Sequence, residues 1–153
     1  MDKITQINSI DDYCQLLGTK PLHPLVNVTD FSELPRIFHG RKIFEFYCVY
    51  YNEMDYGTVR YGRGEYGYRE GTMLFVAPEQ IVGVDDYGLS ENSRGIVLMF
   101  HPDFIMGSTL GKRIKDLSGL GELEKGTWYI TVILIYLAEN NLYHIYCSRL
   151  CID

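Results

Sequence analysis

The sequence predicts an all-β fold with minor helices, built as a small antiparallel sandwich or a jelly-roll barrel. Seven or so short runs rich in β-branched and aromatic residues alternate with turn signals about every 8–12 residues. Both faces of the strongest run, Lys42–Tyr51, are largely apolar, as expected of a wall covered on two sides. The stretch Gly57–Gln80 joins two strand-like runs through a glycine- and tyrosine-rich passage. Pro78 ends the second of these runs, because proline lacks the amide hydrogen that a central strand needs for pairing.

Residues 1–24 are predicted to form an N-terminal arm and one short helix. Ser9, with Asp12 three residues further on, resembles a helix-capping arrangement, and we expect the helix to run to Leu17. Gly18 is well placed to end it. The apolar residues of this helix suit one or two turns packed on a larger body: Ile10, Tyr13, Cys14, Leu16 and Leu17.

Residues 25–104 are predicted to form the β-barrel. The expected strands are Leu25–Phe31, Arg36–His39, Lys42–Tyr51, Thr58–Tyr61, Thr72–Val76, Gln80–Val84 and Gly95–Phe100. We expect Lys42–Tyr51 to be one continuous strand, with four residues on one side: Phe44, Phe46, Cys48 and Tyr50. The glycines of Gly62–Tyr68 are expected to serve bends or a bulge. Leu89–Arg94 is expected to be a loop.

Residues 105–153 are predicted to be a helical and apolar segment. Pro102–Met106 is expected to form one helical turn at its start, ended by Gly107. A second short helix is expected from three apolar residues at helical spacing: Leu110, Ile114 and Leu117. Trp128–Leu137 is rich in β-branched residues yet long enough to be a buried helix, and periodicity does not separate these two structures. We expect this run to pack on the barrel or on a partner chain, since an uncovered one would promote aggregation.

Composition and charge exclude several classes of function. The 153 residues are 46% hydrophobic and 22% charged, which fits one globular domain rather than a disordered chain. The net charge is −6, so the basic face needed for direct nucleic-acid binding is not expected. The longest apolar run, Trp128–Ala138, has 11 residues against the ~20 of a membrane span. The first residues also lack the apolar core of a signal peptide, and we predict a soluble, cytoplasmic protein.

The sequence lacks the usual spacings of catalytic and metal sites. Its four cysteines form no CxxC motif and share no zinc-type spacing with histidine. No Gly-x-Ser-x-Gly motif is present. Gly62, Gly64 and Gly67 have the spacing of a GxGxxG motif, but a strand rather than a helix follows them. A dinucleotide site is therefore not predicted.

Six residues are candidates for contact with a small molecule: Phe46, Arg60, Tyr61, Tyr66, Tyr68 and His101. The three tyrosines alternate with other residues, so their rings either line one face of a cavity or pack across strands on the outside. Arg60, together with Arg63, suits an anionic ligand such as a sugar acid, although arginines are also common on surfaces. His101 lies where a strand ends. It either contacts a ligand near the mouth of the barrel or caps the turn at Pro102, and we favour the cap.

Four segments occur in the order found in one family of proteins: LHPLVNVTDFS, FYCVYY, YGRGEYGYREGTMLFVAPEQ and LMFHPDFIMGSTLGKRIKD. Through them, roughly Ile10–Asp116 resembles the N-terminal cupin-type sensor and dimerisation domains of AraC-family transcriptional regulators, particularly those of Bacteroidetes. The resemblance implies a cupin-like double-stranded β-helix, a jelly-roll barrel with short flanking helices. It also implies binding of a small-molecule effector, or dimerisation, with DNA bound by a separate pair of helix-turn-helix motifs.

The sequence departs from this family in two places. No DNA-binding half is present up to Asp153, and we expect a truncated regulator, a shortened gene product or a free-standing effector domain. The residues after Asp116 are unlike the acidic, strongly helical segment that is usual there, which weakens the expectation of helix-mediated dimerisation.

The resemblance also bears on catalysis. An enzymatic cupin holds its metal with two histidines one residue apart, a nearby glutamate and a later histidine. The corresponding region here, Gly64–Gly71, contains Tyr66, Tyr68 and Glu70 but no histidine. We therefore predict a non-enzymatic domain without metal or cofactor, which binds a small-molecule effector and forms a homodimer. Two alternatives stay open: a metal-dependent cupin isomerase or dioxygenase, and a dimerisation module whose barrel is filled by side chains.

Overall fold

The computed structural model describes residues 3–34, 37–38, 40–54, 57–61, 63–67, 69–71, 73–84, 89–90 and 93–114. Within these ranges lie eleven strands and three short α-helices. The strands are β1 (Thr5–Ile7), β2 (Val26–Asp30), β3 (Ile37–Phe38), β4 (Lys42–Phe44), β5 (Tyr47–Asn52), β6 (Thr58–Tyr61), β7 (Gly64–Gly67), β8 (Met73–Val76), β9 (Ile81–Val84), β10 (Leu89–Ser90) and β11 (Gly95–Phe100). The helices are α1 (Ile10–Leu17), α2 (Pro102–Ile105) and α3 (Thr109–Arg113), and a 3₁₀ turn covers Phe31–Glu33.

Most of these strands belong to two sheets. Sheet I has five strands in the order β1-β4-β9-β6-β7, and sheet II has four strands in the order β2-β11-β5-β8. A separate two-stranded pair joins β10 to β3. β1 pairs with β4 in parallel, and the other pairs between described strands are antiparallel. The predicted all-β class is therefore confirmed, as a mostly β-sheet chain with few short helices.

The hydrophobic core contains side chains from both sheets and from α1. Sheet I contributes Ile7, Phe44, Val59, Tyr61 and Val82; sheet II contributes Cys48, Leu74, Val76, Val97 and Met99; α1 contributes Ile10, Tyr13, Cys14 and Leu17. Burial of one large apolar side chain is worth about 1.5–3 kcal/mol. The contact between the two sheets therefore contributes substantially to the stability of the described part of the chain.

Helix α1 begins and ends where the sequence predicts. The Ser9 hydroxyl accepts a hydrogen bond from the backbone amide of Asp12 at 3.0 Å. Gly18 ends the helix with a φ of 77°, a left-handed conformation that favours glycine. Four of the five apolar residues predicted to pack are buried, but Leu16 is 47% exposed because it lies on the solvent side of the helix.

The prediction of one continuous strand over Lys42–Tyr51 is wrong, because the chain bends after β4 and changes sheets. β4 lies in sheet I, whereas β5 lies in sheet II. At the bend, the backbone amide of Glu45 donates to the carbonyl of Ile7 at 3.1 Å. The predicted alternation nevertheless continues through the bend, since the core holds three residues from its two sides: Phe44, Phe46 and Cys48. A corner of this kind lets one run of residues serve both sheets.

Gly64 and Gly67 lie in strand β7 rather than in the predicted bend or bulge, and Gly62 lies outside the described residues. β7 pairs with β6 as an antiparallel hairpin, in which Thr58 faces Gly67 and Tyr61 faces Gly64. The following strand, β8, pairs instead with β5 in sheet II. The predicted loop at Leu89–Arg94 likewise contains a strand, β10, which pairs with β3.

The remaining elements lie close to their predicted bounds. β2 ends at Asp30, one residue early, because the Asp30 carboxylate accepts a hydrogen bond from the Ser32 amide at 2.9 Å and the 3₁₀ turn begins there. The helical turn at Pro102 is α2, and Gly107 follows it with a φ of 79°. α3 covers the first part of the second predicted helix. Leu117 and Trp128–Leu137 lie outside the described residues.

Candidate functional site

The β6–β7 hairpin carries the candidate site on the outer face of sheet I. Val59 and Tyr61 of β6 are buried in the core, at 3% and 7% exposure. Because side chains alternate along a strand, Arg60 between them points away from the core. In register, Arg60 faces Glu65 of β7 on one side and Gly83 of β9 on the other.

A cleft of about 230 Å³ opens beside Arg60, and we call it the arginine cleft. Its lining residues are Arg41, Arg60, Arg63, Gly64, Glu65 and Ile81. The two arginines that the sequence pairs as anion ligands, Arg60 and Arg63, are thus brought to one place. Arg41 is a third arginine that the sequence analysis missed. With three arginines and one glutamate, the lining carries a net positive charge.

Arg60 is oriented by a carboxylate across the hairpin. Its Nε lies 3.1 Å from Oε1 of Glu65, and both side chains are exposed to solvent. An exposed pair of this kind contributes only about 0.2–1 kcal/mol, because water and salt screen it. The pair therefore fixes the direction of Arg60 along the hairpin more than it stabilises the fold.

Arg41 reaches the cleft because β9 carries a glycine opposite it. A side-chain carbon at Gly83 would lie 2.8 Å from the Cα of Arg41 and 2.8 Å from the carbonyl oxygen of Gly40. Both contacts are with backbone, which cannot move aside cheaply. Gly83 thus allows the Gly40–Arg41 backbone to approach sheet I closely. The sequence could not indicate this contact, since the two segments are about forty residues apart.

The candidates Phe46 and Tyr61 lie in the core rather than in the arginine cleft. Phe46 has no exposed surface, and its ring centroid lies 5.3 Å from that of Phe44. The Tyr61 hydroxyl accepts a hydrogen bond from the backbone amide of Ala77 at 3.4 Å. Both side chains help to fill the space between the two sheets, and contact with a ligand stays a prediction for both.

Lys42 is a partly buried cation that the sequence analysis did not select. It faces Val82 in register, so its side chain leaves β4 on the core side. Its Nζ donates to the carbonyl oxygen of Gly40 at 3.3 Å. Burial lowers its pKa from 10.5 to about 8, against a smaller opposing effect of Cys48. The sequence does indicate the burial of Lys42, because Lys42 stands two residues before Phe44 on the side of the strand that is predicted to be buried.

Cys48 lies in the same interior region and is also affected by burial. Desolvation raises the pKa of its thiol well above 9.0, and a hydrogen bond with the Tyr50 side chain opposes this. The Tyr50 hydroxyl in turn lies 3.0 Å from that of Tyr13 on α1. A protonated, buried thiol is a weak nucleophile. Cys48, Tyr50 and Tyr13 therefore form a chain of hydrogen-bonded side chains in the interior rather than a reactive site.

His101 acts as a helix cap, as the sequence analysis favours. Its Nδ1 accepts a hydrogen bond from the backbone amide of Asp103 at 3.1 Å, and the residue stands directly before α2. The same Nδ1 lies 3.5 Å from the Asp103 carboxylate oxygen Oδ2. The position of His101 is thus accounted for by its capping role, and contact of His101 with a ligand stays a prediction.

The two other tyrosine candidates are only partly covered by the described residues. Tyr66 lies in β7, where its backbone faces Val59 of β6. Tyr68 lies outside the described residues. The proposal that these tyrosines line a cavity stays a prediction.

The described residues lack two further features, a cluster of metal ligands and a membrane-spanning helix. Among them, no group of three or more histidine, cysteine, aspartate or glutamate side chains is placed to hold a metal ion. No helix within those ranges is long and apolar enough to cross a membrane.

A scan against models of protein families finds no match. A search of curated proteins finds no match either.

Proposed function

We propose that the chain is a ligand-binding domain that recognises a small anionic molecule, such as a sugar acid, at the arginine cleft. The observation that carries the proposal is that Arg41, Arg60 and Arg63 line one cleft of about 230 Å³. Guanidinium groups stay charged at physiological pH and present planar donor pairs that match a carboxylate or a phosphate. A cleft of about 230 Å³ is smaller than the ≈ 300–1,000 Å³ of pockets for drug-sized ligands.

The domain would serve as the effector-sensing or dimerisation part of an AraC-type regulator, with a cupin-like jelly roll as its fold. Two β-sheets that share one core are compatible with a jelly roll. The four family-like segments of the sequence point to the same function. In this proposal the ligand shifts the domain between two conformations, which requires unequal affinity for them. DNA would be reached through a separate domain, and the protein would work as a homodimer.

Titration with matched ligands tests the anion preference. Calorimetry with a sugar acid and with the corresponding neutral sugar is expected to show binding of the acid alone. Arg63→Gln is expected to weaken binding of the acid by about 5–20-fold. This loss is somewhat smaller than the roughly 1.5–3 kcal/mol that a charge-assisted hydrogen bond contributes. Arg69→Gln is the matched control, since Arg69 is exposed, outside the cleft and changes the net charge equally. Equal binding of acid and neutral sugar, or equal loss in both variants, would refute the proposal.

A dimerisation module with a filled barrel is the second candidate function. The observation that favours it is the dense interior, where five large side chains are at most 1% exposed: Phe44, Phe46, Val76, Val97 and Met99. Light scattering after size-exclusion chromatography tests it. A dimer that forms without any added ligand, and whose affinity no sugar acid changes, would favour this function over ligand sensing.

The metal-dependent cupin enzyme stays a third possibility that elemental analysis addresses directly. Stoichiometric iron, manganese or zinc in protein purified without chelators would contradict the non-enzymatic proposal. No group of side chains among the described residues favours this alternative.

A further inference from the structure

The arginine cleft contains a carboxylate beside its three arginines. Glu65 lies on β7 directly opposite Arg60 of β6, and residues that face each other across an antiparallel pair point to the same side of the sheet. The four residue pairs between β6 and β7 fix this register along the hairpin. The backbone therefore holds the Glu65 carboxylate at the wall of the cleft, in addition to the contact of Glu65 with Arg60.

This carboxylate weakens the binding of anions and adds little to the stability of the fold. The side chains of Arg60 and Glu65 are 42% and 59% exposed, and water screens an ion pair at such exposure. Two unit charges roughly 6 Å apart in water repel each other enough to weaken binding about 3-fold for each unit of ligand charge. Glu65 therefore disfavours anions in general, and it disfavours those with two or more charges most.

The same carboxylate supplies a hydrogen-bond acceptor, which arginine cannot supply. A guanidinium group has N–H donors and no acceptor, whereas an ionised carboxylate accepts only. Among the described residues that line the cleft, Glu65 is thus the one charged side chain that can accept a hydrogen bond from a ligand. A ligand hydroxyl would donate to Glu65 while the acid group of the same ligand accepts from an arginine.

The donors and the acceptor of the cleft come from different parts of the chain. Arg60 and Glu65 form one donor–acceptor pair on the hairpin, with Nε and Oε1 3.1 Å apart. Arg63 is exposed in the turn that joins β6 to β7, and Arg41 directly precedes β4. A ligand in the cleft therefore meets the hairpin pair together with cationic donors from two other positions. This arrangement suits a molecule that carries both an acid group and hydroxyl groups.

We propose that Glu65 determines the specificity of the arginine cleft by selecting anions that carry hydroxyl groups and a single carboxylate. This inference rests on the function proposed above, and it narrows the ligand to the hydroxylated monocarboxylates. A plain carboxylate lacks the hydroxyl that would donate to Glu65. A dicarboxylate carries a second charge that Glu65 repels.

Three acids of equal chain length separate these two effects. Gluconate is a hydroxylated monocarboxylate, hexanoate has the same charge without hydroxyls, and glucarate is the corresponding hydroxylated dicarboxylate. Calorimetry measures the affinity of each acid for the wild type and for two variants. Glu65→Ala removes the acceptor, and it is expected to reduce the preference for gluconate over hexanoate by about 5–10-fold. Glu65→Gln keeps a carbonyl acceptor but removes the charge, and it is expected to raise the affinity for glucarate relative to gluconate by about 3-fold.

Glu70→Gln is the matched control for the change in net charge. Glu70 is exposed and is not among the residues that line the cleft, so both affinity ratios are expected to equal those of the wild type. Because Glu65 is also exposed, all three variants are expected to unfold within about 2 °C of the wild type.

The results distinguish this inference from the proposed function. If the wild type binds gluconate but neither ratio changes in the Glu65 variants, or if Glu70→Gln changes them equally, the role of Glu65 is refuted and the anion site stands. If the wild type binds none of the three acids, the proposed function and the role of Glu65 are both refuted.

Discussion

Replacement of Lys42 by methionine is expected to stabilise the protein and to remove part of its pH dependence. Lys42 leaves β4 on the side of the core, and burial lowers its pKa from 10.5 to about 8. A lowered lysine pKa means that the folded state disfavours the charged ammonium. Methionine keeps an unbranched apolar side chain of similar length at this position, without the charge.

The size of the effect follows from the two pKa values. A lowering from 10.5 to about 8 corresponds to roughly 3 kcal/mol, at about 1.4 kcal/mol for each pH unit. Lys42 is only partly buried and donates to the Gly40 carbonyl, so we expect a net gain of about 1–2 kcal/mol for Lys42→Met at pH 7. Between pH 8 and 10.5 the unfolded chain binds more protons at this group than the folded chain does. Stability therefore rises with pH in that window.

Urea unfolding at pH 7, 8 and 9 measures this dependence. From pH 7 to pH 9, the free energy of unfolding of the wild type relative to Lys42→Met is expected to rise by about 1 kcal/mol. The comparison stops at pH 9 because Cys48, whose raised pKa also depends on the charge of Lys42, changes stability differently in the two proteins above that point. Lys112→Met, at an exposed lysine of α3, is the control and should follow the wild type. A constant difference between wild type and Lys42→Met across this range would refute the reasoning.

Two further predictions concern the backbone. Gly83→Ala is expected to cost about 1–3 kcal/mol and to weaken sugar-acid binding, because the added carbon meets the Arg41 backbone at 2.8 Å. Gly67→Ala, with open space around the added carbon, should stay within about 0.5 kcal/mol, and an equal cost for both in thermal unfolding would refute the contact. Glu79→Asn is expected to raise the unfolding free energy by about 0.5 kcal/mol, because Glu79 has a left-handed φ of 66° that asparagine tolerates better. Gln80→Asn is its control, and an equal gain there would show that the conformation at Glu79 is not responsible.

The sequence predicts the elements that depend on local chemistry. The helix caps at Ser9 and Gly18 need only neighbouring residues, and both are found. The predicted side-chain alternation from Phe44 to Cys48 is also correct. Phe44, Phe46 and Cys48 all point into the core, although the chain bends between β4 and β5. The bend itself is not predicted, since the partner of the Glu45 amide is the carbonyl of Ile7 in a distant strand.

Strands and site residues that depend on distant partners are the ones that the sequence misses. β7 consists largely of glycine and tyrosine, and glycine has low strand propensity. Its pairing with β6 provides the hydrogen bonds that make it a strand. Arg41 enters the candidate site in the same way, through its contact with Gly83 of β9. Arg60 and Arg63 are near neighbours in sequence, which is why the sequence alone could pair them.

The outer faces of the two sheets differ in chemistry, and this difference suggests how a ligand would act. Sheet I presents the arginine cleft to solvent, whereas the outer face of sheet II, which points away from the shared core, includes three buried apolar residues: Val28, Val49 and Leu98. Arg41 directly precedes β4, and the chain then turns into β5 of sheet II at Glu45. If the proposed anion holds Arg41 in one position, it acts on the corner that belongs to both sheets, and the outer face of sheet II would respond through that corner.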